Sequence, residues 1–166
     1  PAGTGLVLPS PNGSTIAYEA SRLGVAHVAA GCVRNAGAVA QVASILADGA
    51  PIGVIAAGER WPGGVLRPAV EDLLGAGAVL AALDPSASIS APGCSPEADA
   101  ARAAFVAARP RLPDVLAATG SGRQLIGRGW DDDVAMAAAH NSSWAVPLLV
   151  GDVFVAPQGP AGSTLN

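Results

Sequence analysis

Four carboxylates sit where chemistry could be done, each at the junction between an apolar stretch and a helix-like one: Glu59, Glu71, Asp72 and Asp133. Glu59 follows the apolar run 52–57, and Glu71-Asp72 lies in the first turn of the helical pattern that follows Pro68. Hard oxygen ligands of this kind suit Mg²⁺, which keeps several waters and needs only one or two carboxylates. Acids in a first turn also stabilise the helix dipole, so Glu71-Asp72 has a purely structural reading as well. Asp131-Asp132-Asp133 opens another helix; at least one of the three is expected to cap it, and a single Asp directed into the cleft is the functional alternative.

Anion-holding groups lie at matching places. Asn12-Gly13-Ser14-Thr15 begins a helix, where free backbone N–H groups and the dipole favour negative charge. On the sequence alone these residues favour the plainer reading, a tight turn followed by an N-cap. Arg34-Asn35 occupies the equivalent place after a second apolar run, and its guanidinium could fork onto a phosphate or sulfonate or simply be solvated. Arg60 stands beside Glu59. His27 lies within a strand pattern and His140 near a helix end, neither with a Ser or Cys partner at a recognised spacing.

The elements that must position these residues alternate. Short apolar runs at 5–8, 26–33 and 52–57 read as strands. Helical stretches follow them: 14–23 closed by Gly24, 36–47 ending near Gly49, and one from Pro68 through Leu80. That rhythm implies parallel strands joined by crossovers. Ligands in such sheets bind beyond the carboxyl ends of the strands, so residues 10–14, 32–35 and 59–60 are expected to converge. Further along, Ser95-Pro96 opens a helix to about Arg109, another follows Pro113, a shorter one starts near Ser121, and residues 131–140 form the next. One or two strands close the fold at 145–155. Residues 1–156 are expected to be one α/β domain and 157–166 a flexible tail.

Composition narrows the class. Half of the 166 residues are apolar, 51%, and only 13% are charged, so a core of small side chains is affordable and disorder is not expected. All nine basic residues are Arg and they are scattered, which excludes the basic stripe a nucleic-acid surface needs. Cys32 and Cys94 are far apart and read as free thiols of a cytoplasmic protein. No unbroken apolar run reaches membrane-spanning length. A P-loop, a dinucleotide fingerprint after a strand and a nucleophile elbow are all absent; Gly75-Ala76-Gly77 falls inside a helix.

Ser10-Pro11-Asn12-Gly13-Ser14 is similar to the S-x-N-G-[ST] segment of the 2-phosphosulfolactate phosphatase (ComB-like) family. The resemblance continues in order through Arg34-Asn35-Ala36, Ala57-Gly58-Glu59, Leu66-Arg67-Pro68, the Glu71–Gly77 stretch, Ser121-Gly122-Arg123-Gln124-Leu125, Asp133-Val134 and Val146-Pro147. It implies a three-layer α/β/α fold with a mainly parallel sheet, and a magnesium-dependent phosphatase acting on 2-phosphosulfolactate or a similar small phosphate monoester. The site residues then expected are Glu59 and Asp133 for catalysis, Glu59, Glu71 and Asp72 for Mg²⁺, and Asn12, Gly13, Ser14, Arg34, Asn35 and Arg60 for substrate. The partner expected is a small anionic phosphorylated substrate, with no nucleic acid and no membrane; a homodimer is compatible. Relatives carry an N-terminal D-V-[LI]-R-A-[TS]-type strand and turn that nothing here matches, so the chain is expected to be the C-terminal portion of a longer fold. The alternative function is a non-catalytic module that binds an anion or metabolite in the same cleft. His140-Asn141 stands where relatives tend to place an acid.

Overall fold

In a computed structural model, residues 5–7, 12–86 and 93–155 are described. The expected tail 157–166, Ser10 and Pro11 of the first motif, and most of the 83–93 loop lie outside them. Seven α-helices and two small antiparallel sheets make a mixed α/β arrangement among the described residues. The helices are α1 (Gly13–Arg22), α2 (Ala36–Ala47), α3 (Val70–Leu83), α4 (Pro96–Ala108), α5 (Leu112–Ala118), α6 (Gly120–Ile126) and α7 (Asp131–Ala138).

Their ends follow local chemistry. α1 stops where Gly24 adopts φ +77°, a left-handed conformation that costs glycine nothing, while the N–H groups of Leu23, Gly24 and Val25 bond back to Glu19, Ser21 and Ala20. Its N-cap is Asn12, whose side chain makes no capping hydrogen bond. α4 begins with the Ser95 hydroxyl accepting from Ala98 N–H and Pro96 at the first helical position.

α3 packs on both α2 and α4, and the core gathers there: Ala36, Leu74, Ala78, Phe105 and Leu112 are at most 2% exposed. Small side chains let these helices approach closely. A Cβ built on Gly77 would stand 2.1 Å from the Ala101 carbonyl oxygen, so α3 and α4 cross at a point only glycine fits. Arg102 on α4 is buried with them and donates to the Asp84 carbonyl at the end of α3.

The strands depart from expectation. β1 (Glu59–Arg60) pairs antiparallel with β2 (Leu66–Arg67), and β3 (Leu148–Val150) pairs antiparallel with β4 (Val153–Val155). Of the expected strand at 26–33, residues 28–30 are bonded, to β3 rather than to a parallel neighbour: Ala29 bridges Leu148, Ala30 N–H reaches Pro147 O and Leu149 N–H reaches Val28 O. The chain then turns into a 3₁₀ segment at Val33–Asn35. Residues 52–57 form no ladder among the described residues, and Ile55 is 69% exposed. The expected mainly parallel, three-layer sheet is therefore not seen among the described residues. Apolar runs identify segments able to pair, but the ladder depends on which segment lies alongside, which is a non-local property. No helix among the described residues is long and apolar enough to cross a membrane.

Candidate functional site

The N-terminus of α1 and the β1–β2 hairpin meet at a small cleft of about 110 Å³, walled by Asn12, Thr15, Ala57, Glu59, Arg60 and Leu66 among others. Two of the three strand-end segments expected to converge do so here. The Asn12 amide nitrogen lies 3.4 Å from Glu59 Oε2, a long hydrogen bond that still ties the two segments together. Gly58, at φ +70°, turns the chain into β1, a conformation costly for a residue with a Cβ.

Gly58 also links the cleft to α3. Its N–H bonds the Asp72 carboxylate, which alone would favour the charged form. Burial outweighs that bond and, with the neighbouring charges of Glu71 and Glu59, holds the Asp72 carboxyl above its ordinary range. The charges of Glu71 and Glu59 both act against an ionised Asp72, which a bound cation would relieve. Among the described residues no three His, Cys, Asp or Glu groups are placed to cage a metal. Mg²⁺ does not need such a cage, and Glu59 with Asp72 fits its habit of one or two carboxylates completed by water.

The remaining expected residues divide. Gly13 begins α1 beside the cleft and Ser14 is exposed in its first turn. Arg60 lines the cleft while its Nη1 donates to the Gly64 carbonyl at 2.8 Å, bracing the hairpin loop. Arg34 and Asn35 are engaged elsewhere. Arg34 Nε donates to Ser142 Oγ at 3.1 Å. Asn35 is 6% exposed and its amide serves the main chain: Oδ1 accepts from Cys32 N–H at 2.7 Å, and Nδ2 donates to the carbonyls of Ala30 and Ala145. It stitches the second segment to the chain ahead of β3 instead of presenting a free amide. Asp133 is exposed in the first turn of α7, and no hydrogen bond, ion pair or cleft wall among the described residues joins it to Glu59.

His140 also has a packing role. Its ring lies 5.2 Å from that of Phe105, and burial, assisted by Arg109, lowers its pKa. Asn141 takes φ +52° and its Oδ1 accepts the Gly37 N–H at 2.8 Å, so a neutral side chain occupies the first turn of α2.

Sequence reasoning passed over Arg67. It stands directly opposite Glu59 in the β1–β2 ladder, with its guanidinium 5.1 Å from the Trp61 ring. The signal was present, since Trp61-Pro62-Gly63-Gly64 between two Arg-containing pairs is a hairpin loop. A second and larger cleft, about 470 Å³ and walled mainly by carbon, lies between the start of α3 and α5, bordered by Val70, Arg111, Asp114, Val115, Ala118 and Thr119.

No match was found among curated proteins. The family model described as 2-phosphosulpholactate phosphatase matches residues 2–152, spanning the cleft, its carboxylates and the helices that carry them, and the chain belongs to that family.

Proposed function

We propose that the chain hydrolyses a small phosphorylated acid, 2-phosphosulfolactate or a close analogue, with Mg²⁺ held at Glu59 and Asp72. Membership of the phosphatase family supports phosphate-monoester hydrolysis. The observation that carries the site is the junction of Asn12, Glu59 and Asp72, where an anion-favouring helix start meets crowded carboxylates. A cation there supplies charge neutralisation for the phosphoryl oxygens and a lowered pKa for bound water. Asn12 and the first N–H groups of α1 would orient the phosphate, Glu71 would add negative charge beside Asp72, and the Gly58 N–H would keep Asp72 aimed. Arg60, at the rim, would attract the anionic substrate. The free thiols Cys32 and Cys94 support a reducing, cytoplasmic setting.

Phosphate release from 2-phosphosulfolactate, measured with and without Mg²⁺ for wild type and Glu59→Ala, tests the reading. Wild-type turnover is expected to require the metal and to fall by about 10²-fold or more in the variant. Equal activity in both proteins would sink the assignment of Glu59.

A further inference from the structure

We propose that Arg67 holds one of the substrate's acidic groups other than the phosphate, its carboxylate or its sulfonate; this rests on the phosphatase reading of the site. Opposed residues of an antiparallel pair project from the same face, so the register Glu59↔Arg67 places a guanidinium beside the carboxylate assigned to the metal. The two side chains are engaged by different elements. Glu59 meets Asn12 of α1, whereas Arg67 reaches the start of α6, where a Cβ built on Gly120 would stand 2.9 Å from its Nη2.

Arg67 is half-buried, yet no hydrogen bond or ion pair joins it to another described residue. The other arginines are either exposed or bonded: Arg34 to Ser142 and Arg102 to Asp84, for example. Its one recorded contact of an electrostatic kind is the Trp61 ring. Attraction to an aromatic face restrains the guanidinium without using its N–H donors. A half-desolvated cation with an open donor edge suits a carboxylate or sulfonate, which it can grip with two parallel hydrogen bonds. The phosphate end of the substrate is accounted for by α1 and the carboxylates. What Arg67 adds is a grip on the other end, separating phosphorylated acids from phosphate esters with an uncharged tail.

The test compares KM for 2-phosphosulfolactate with KM for p-nitrophenyl phosphate, whose tail is uncharged, in wild type, Arg67→Ala, Arg67→Lys and Gly120→Ala. Arg67→Ala should raise the first KM about tenfold or more, equivalent to about 1.4 kcal/mol, and leave the second within about twofold. Arg67→Lys should recover part of the loss, because charge survives without the fork. Gly120→Ala needs only the flexible end of Arg67 to move, so it should preserve the fold and reproduce part of the KM effect. Equal KM increases for both substrates would assign Arg67 to the phosphate and overturn the proposal, as would no change in either. Calorimetric binding of 3-sulfolactate, which has acid groups and no phosphate, keeps this test separate from turnover. Binding that weakens about tenfold in Arg67→Ala supports the proposal even if wild type hydrolyses nothing. No binding to wild type, or equal binding to both proteins, overturns it.

Discussion

Gly75 and Gly77 lie two residues apart in α3, and the same substitution at each should move stability in opposite directions. A Cβ at Gly75 meets nothing within 4 Å. Replacing glycine by alanine in an open helical position removes backbone freedom from the unfolded chain and adds no collision, so Gly75→Ala should stabilise by about 0.5–1 kcal/mol. At Gly77 the added carbon would lie 2.1 Å from the Ala101 carbonyl oxygen and 2.8 Å from Phe105 Cβ. An ordinary contact is more than an ångström longer than the first of these, and the obstacle is backbone, so α4 must retreat as a body. Overpacking typically costs about 1–3 kcal/mol, and a backbone obstacle places this site at the upper end. After the propensity gain, Gly77→Ala should destabilise by about 2 kcal/mol, a large share of the roughly 5–15 kcal/mol available to a domain. Thermal melts of the two variants should bracket wild type, with Gly77→Ala lower by about 4–8 °C. The first turn of α3 carries Asp72, so the activity proposed above should fall with the melting temperature in this variant alone. A Gly77→Ala protein as stable as Gly75→Ala would refute the close crossing of α3 and α4.

Asn35→Ala should cost about 1–3 kcal/mol, because it leaves the Cys32 N–H and the Ala30 and Ala145 carbonyls without the Asn35 amide in a part-buried setting. Asn35→Asp should be nearly as damaging, since it retains the acceptor and loses both donors; chemical denaturation of either variant at the wild-type midpoint would refute the structural role. Asp72 predicts a pH dependence whose sign follows from its raised pKa. The native state binds this proton more tightly than the unfolded chain, so ionising Asp72 erodes stability as pH rises from the ordinary value of 3.8 through the folded pKa. Asp72→Asn should therefore melt higher than wild type near about pH 7 in the absence of Mg²⁺, with the difference closing in acid where both states are protonated. If Asp72 holds the proposed metal, Mg²⁺ should raise the melting temperature of wild type and raise that of the variant much less. A difference that widens in acid would contradict the crowding of carboxylates around Asp72.

Helices were the legible part of this fold because their determinants are local. The bounds of α2 and the Ser95-Pro96 start of α4 follow from apolar spacing, capping side chains and the fixed φ of proline. Half of the cleft was legible for a similar reason. A turn before a helix and an acid after an apolar run can both be recognised in place, and Asn12 and Glu59 do meet. The strand pairing was not legible, since residues 28–30 choose an antiparallel partner more than a hundred positions away, at 147–149. Asn35 looked like a ligand for the same reason: the carbonyl of Ala145 that occupies it lies 110 residues along the chain.

Gly75-Ala76-Gly77 shows how such a signal can be present in sequence and still ambiguous. Apolar spacing places all three residues in a helix, but only the helix phase relative to α4 decides which glycine is indispensable. The β1–β2 hairpin carries the same ambiguity into the site. Its strands are two residues each, too short for a period of two to appear, so the sequence motifs around Glu59 and Arg67 look independent. Pairing makes them one unit: a carboxylate and a guanidinium on one face, the first turned to α1 and the second to α6. A loop of five residues can thus fix the spacing between the groups expected to hold the two ends of a substrate, and lengthening it would change that spacing without touching either side chain.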